Sequence, residues 1–164
     1  MTEPVQVAAA ERALLRHTLS TVAYRGGKAL RNVPESFPNF LACDGARTPA
    51  QLLAHISDLC DWALSIVSGK QSWHDSHPLQ WEKEVERFFA TLKKLDDYLA
   101  SNTPMFETPE KLFQGPIADS LTHIGQISIL RRIANCPVKP ENYHKAEIVV
   151  GRVGAEQTAP RREF

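Results

Sequence analysis

Apolar residues recur along this chain at intervals of three and four, and they do so in four separate stretches. The first runs from about Gln6 to Leu30, with Leu15, Leu19, Val22 and Ala23 at helical spacing. Its Gly26-Gly27 pair is expected to fray or bend the end. The second begins at Thr48-Pro49-Ala50-Gln51, where a threonine N-cap, a proline at the first helical position and a glutamine three after the cap form a capping box. Leu52, His55, Leu59, Trp62 and Ile66 follow as its stripe, and Ser68-Gly69 ends it. The third carries Trp81, Val85, Phe88, Leu92, Leu95 and Leu99 without a break, with Glu82, Lys83, Glu84, Glu86, Lys93, Lys94 and Asp97 on its other faces. A short turn starts at Thr108-Pro109. Gly115-Pro116 then restarts the chain, and Ile117 to Asn135 reads as the fourth long helix.

Between these stretches lie loops: Asn32–Ala46, with Pro34, Pro38 and Gly45, and Gly69–Pro78, with Trp73, His74 and His77. Four amphipathic helices predict an all-α, four-helix bundle over residues 1–137. Residues 138–164 read as an extended C-terminal tail, packed on the bundle or on a dimer partner, with one strand expected at Ile148–Val153.

Composition removes several function classes. The chain has 164 residues, the size of one domain, and 43% hydrophobic content. Nineteen basic and nineteen acidic residues cancel, and no basic stripe marks a nucleic-acid surface. Nothing resembles a signal peptide or a membrane span. Cys43, Cys60 and Cys136 are odd in number and widely spaced, which predicts reduced thiols and a cytoplasmic location. No nucleophile triad, phosphate loop or dinucleotide fingerprint occurs.

The candidate chemistry sits on two helices. His55 lies within the stripe of the second, between Leu52 and Leu59, where Leu or Ile is usual and an imidazole must satisfy two ring nitrogens. On the fourth, Asp119, His123, Gln126 and Leu130 fall within a sector of roughly 60°. A polar stripe that turns apolar is expected to face inward along its length. If the two helices meet, His55, Asp119 and His123 make a two-imidazole, one-carboxylate set that suits a divalent ion and leaves positions open. Zn²⁺ fits best, with Ni²⁺, Fe²⁺ or Mn²⁺ as alternatives.

Blander readings stand beside this one. His55 alone reads as a core histidine bonded to a nearby oxygen. Asp119 is well placed for the helix dipole, and an Asp119–His123 ion pair requires no metal. Candidate partners for the far ring nitrogens are Asp58 and Gln51 for His55, and Gln126 for His123. His74 and His77 are expected to be solvated, and His17 to lie at the surface. Cys60 is expected to be a packed thiol, and Tyr24, Trp73 and Arg131 are pocket candidates.

The segments Thr48-Pro49-Ala50-Gln51-Leu52-Leu53-Ala54-His55 and Asp119-Ser120-Leu121-Thr122-His123-Ile124-Gly125-Gln126 resemble the DinB-like (DinB/YfiT-type) family of four-helix bundles. Its pattern is a histidine in the second helix after a threonine-proline-type start, and a helix-four motif ending in His-x-Gly-Gln. The resemblance covers roughly residues 8–135. It implies an up-down-down-up bundle, often a homodimer, that binds a divalent metal through three residues, commonly histidines. Where the family often has histidine four before the helix-four histidine, this chain has Asp119. Mycothiol-dependent isomerases carry an acidic ligand there. The resemblance further implies a metal-dependent thiol S-transferase acting on a small electrophile, with a low-molecular-weight thiol as cosubstrate; a metal-bound water in the same donor set would make a hydrolase instead. The alternative is a non-catalytic metal-binding or dimeric interaction protein. The enzyme requires an open position beside a ligand-sized cavity; the alternative requires a filled shell or a closed bundle.

Overall fold

The computed structural model describes residues 3–164. Four long helices dominate: α1 (Ala9–Leu30), α2 (Pro49–Val67), α3 (Trp81–Ala100) and α5 (Ala118–Ile133), with the short α4 (Pro109–Leu112) before the last. No strand forms among the described residues; the extended segments make only isolated bridges, Val5 with Met105 and Glu141 with Glu163. The protein is all-α.

Local sequence accounts for the helix starts. The Thr48 hydroxyl accepts from the Gln51 N–H at 3.3 Å, and the Gln51 side chain accepts from the Thr48 N–H at 2.9 Å. This satisfies two donors that the first turn leaves free. Helix α1 begins three residues later than expected, where the Glu11 carboxylate takes the Ala8 N–H at 2.7 Å. The glycine pair does not fray α1, which continues to Leu30. Both glycines are buried against α3, and a Cβ on Gly26 would lie 2.7 Å from Phe88 Cζ. Close helix packing, rather than flexibility, is what glycine provides there.

Helix α3 packs between α1 and α2, and α5 packs against the same two from the other side, so α1 and α2 lie on a diagonal. Helix α2 is therefore covered over most of its circumference. Leu53, Ile56, Ala63 and Val67 are buried at its centre, whereas Trp62 and Ile66 of the expected stripe are only half-buried. The expected stripe is one flank of a wider buried face, and His55 stands on that flank. Between α4 and α5, Phe113–Ile117 forms a wide π-type turn with a kink at Gly115. Pro116 cannot donate to the helical ladder, and its ring crowds the preceding turn. The kink sets the direction of α5 and hence of Asp119 and His123.

The tail departs from expectation. Ile148–Val153 is not a strand: Val149–Arg152 is a turn closed by Arg152 N–H to Val149 O, with Gly151 at φ +86°. Glycine supplies that left-handed conformation without strain. The turn donates the Gly151 N–H to Ser20 Oγ on α1 and delivers Val153 into the core.

Candidate metal centre

The structure brings His55 from α2 together with Asp119 and His123 from α5. One ligating atom from each lies within 4.8 Å of the other two. His55 Nε2 is 3.8 Å from Asp119 Oδ2, and His123 Nε2 is 3.4 Å from Asp119 Oδ1. The two imidazoles stand edge to face with centroids 4.9 Å apart. Tetrahedral bonds of about 2.0–2.1 Å would set donors roughly 3.3–3.4 Å apart. The donors, within 4.8 Å of one another, would have to close by up to about 1.5 Å around a tetrahedral divalent ion, and their types suit one.

Contrary to the expectation from spacing, the stripe on α5 does not face inward along its whole length. The Asp119 side chain is 47% exposed, against 18% for His55 and 13% for His123. The stripe runs along the border between core and solvent, so the imidazoles are sheltered and the carboxylate forms the outer rim. Burial first, then the charge of Arg47 and the neighbouring His123, lowers the proton affinity of His55 below the ordinary histidine value, against the pull of Asp119 and Asp58. That favours the lone-pair form of the ring.

Of the expected ring partners, one is in place. Gln126 Oε1 lies 2.7 Å from His123 Nδ1. With Nδ1–H donating there, Nε2 presents its lone pair toward Asp119 and His55. Neither Gln51 nor Asp58 bonds to His55. Gln51 is committed to the helix cap. Asp58, buried on α2, accepts from the Ser76 N–H and hydroxyl at 2.8 Å each and pairs with Arg87 of α3.

That carboxylate organises the loop between α2 and α3. His74 is exposed, as expected, and its Nδ1 lies 3.1 Å from Asp58 Oδ1 and 3.2 Å from Ser76 Oγ. Glu84 completes the cluster by accepting from Arg87 at 3.3 Å and from the Leu79 N–H at 3.0 Å. Held this way, the loop sets Trp73 against both His55 and Trp62, with centroids at 5.6 and 5.8 Å. His77 and His17 are exposed, and Cys60 is buried with its thiol pushed up to about 12 by burial. Tyr24 and Arg131 are structural. Tyr24 donates to Glu141, and Arg131 donates to the carbonyls of Ala29, Arg31 and Cys136, tying α1 to α5.

Two clefts reach the cluster. One of about 180 Å³ is lined by His55, Asp58, Asp75, Ser76 and Arg47. The other, of about 450 Å³, is lined by His123, Leu52, Ile129, Leu130 and Arg47. A larger cleft of about 950 Å³ lies between the end of α1, the following loop and the start of α3, and contains none of the three candidate ligands. Sequence reasoning did not single out Arg47. It precedes the α2 cap in a loop, where no periodicity marks a side chain.

No protein-family model matches the chain, and no curated protein or solved structure matches it. No helix among the described residues is long and apolar enough to cross a membrane.

Proposed function

We propose that His55, Asp119 and His123 hold a divalent cation, with Zn²⁺ the best match to two imidazoles and a carboxylate. The observation that carries this is the convergence of the three donor atoms, from two helices, within 4.8 Å. In this reading the protein is a DinB-like bundle. The diagonal placement of α1 and α2 and the two helix motifs support that assignment.

The activity we assign is metal-dependent transfer of a small thiol to an electrophile, or hydrolysis of a small electrophile. A divalent ion in this donor set would act as a Lewis acid and lower the pKa of a thiol or water. The chain's own residues perform the rest. Gln126 fixes the His123 ring, Trp73 covers one edge of His55, and the exposed Asp119 leaves the outer side open. Clefts on both sides of the cluster favour an enzyme over a filled, non-catalytic shell. The same family reading implies a homodimer acting on a small molecule.

Metal analysis of the protein purified without chelator should find about one divalent ion per chain. A His55→Ala variant should lose it. Metal retained at the wild-type level in that variant refutes the assignment. Assays with a panel of low-molecular-weight thiols then test turnover, and no metal-dependent product with any thiol, together with no hydrolysis, refutes the enzymatic part.

A further inference from the structure

Arg47 is the one residue common to both clefts that open onto the cluster. Its neighbourhood differs from that of most arginines in the chain. Arg16 is paired with Asp96, Arg87 with Asp58 and Glu84, and Arg161 with Glu147; Arg12 and Arg131 are used up on backbone carbonyls. Among the described residues, no carboxylate lies within ion-pair distance of the Arg47 guanidinium, which is exposed. It is nevertheless close enough for its charge to act on His55.

The two clefts differ in what they would accept. The His55 side already contains the carboxylate of Asp75, which repels an anion, beside Asp58, which is paired with Arg87. The His123 side contains no acid. Its walls are Leu52, Ile129, Leu130 and Ala46, and Arg47 supplies its only full charge. At about 450 Å³ it falls within the size range of small-molecule sites. A planar guanidinium with its donors free matches a carboxylate in a forked pair.

Building on the metal-site reading above, we infer that the His123-side cleft binds a small carboxylate with an apolar body, and that Arg47 recognises its carboxylate and holds the molecule beside the metal. Arg47 is thus a specificity residue for the substrate class: partly apolar carboxylic acids.

Cobalt-loaded protein tests this, with hexanoate as the probe and hexanol as its uncharged counterpart, read by visible absorption of the metal and by calorimetry. Hexanoate should bind saturably and hexanol much more weakly. Arg47→Ala should still load fully at saturating cobalt but weaken hexanoate roughly ten- to hundredfold, and Arg47→Lys should fall between. Normal cobalt uptake with equal hexanoate affinity in wild type and Arg47→Ala, as direct ligation of the metal alone would give, overturns the Arg47 inference and spares the metal site. Equal affinity for hexanoate and hexanol overturns it as well. Failure of the wild type to take up cobalt overturns the metal-site reading and this inference with it.

Discussion

His123 depends on a single neighbour for its orientation. Gln126 one turn later takes its Nδ1 proton at 2.7 Å and so selects which nitrogen faces the cluster. Replacing Gln126 by Leu keeps the helix but frees the ring, and metal affinity should fall about 10- to 100-fold in a chelator competition. A fall of less than twofold would show that the ring needs no such partner. Gly26 illustrates a packing constraint of the same scale. The methyl of Gly26→Ala would meet Phe88, which is fully buried and cannot swing aside. Urea denaturation should register a loss of about 1–3 kcal/mol from overpacking, despite the better helix propensity of alanine. The Asp119/His123/Gln126 set was legible in the sequence because spacing along one helix fixes which side chains are neighbours. Arg47 and Trp73 were not. They sit in loops, and only the packing of α2 against α3 and α5 determines which loop residues reach the cluster.

At the scale of the element, the connection between α2 and α3 has no regular structure to hold it, and it rests on one buried carboxylate. Asp58 collects the Ser76 N–H, the Ser76 hydroxyl, Arg87 and His74, and the loop thereby places Trp73 on His55. Burial pushes the Asp58 pKa up, but the Ser76 N–H, Arg87 and the Ser76 hydroxyl outweigh it and leave it below the ordinary value of 3.8. A carboxylate whose folded pKa is depressed stabilises the fold in full above its unfolded value and loses that contribution as pH falls through the folded one. The stability gap between wild type and Asp58→Asn, from urea midpoints, should therefore be constant from neutral pH down to about 5 and narrow below about 4. A gap that stays constant to pH 3 would contradict this account. In the wild type, His55 should lose Trp73 contact over the same acid range, visible as a change in tryptophan fluorescence. The helices themselves were readable from apolar spacing and caps, down to the Thr48–Gln51 box. The π-type turn before α5 was not, because the sequence signal Gly115-Pro116 reads equally as a break and as a kink.

For the whole molecule, the question is whether residues 138–164 are an appendage or part of the fold. The expected strand at Ile148–Val153 was misread because a short apolar run looks the same whether it pairs or simply covers. Here it turns at Gly151 and covers α1, with Val153 in the core. The stronger tie is electrostatic. The Glu141 side chain, fully buried, accepts from Tyr24 Oη at 2.6 Å and pairs with Lys28 Nζ at 2.7 Å, and Glu163 reaches the same ammonium at 2.8 Å. With the tail in place Lys28 is only 7% exposed, and truncation removes both of the carboxylates that hold it. Losing this charge-assisted network together with the core contact of Val153 is destabilising by on the order of 3 kcal/mol. Truncation after Pro137 should therefore lower Tm by on the order of 10 °C in a domain of this size. Glu141→Gln, which preserves shape and can still accept from Tyr24, should lower it by less. If the tail instead serves a second copy of the chain, truncation will change the oligomeric mass and leave the monomer's Tm intact. A truncated chain with unchanged Tm would sink the claim that the tail completes the bundle, whatever its mass.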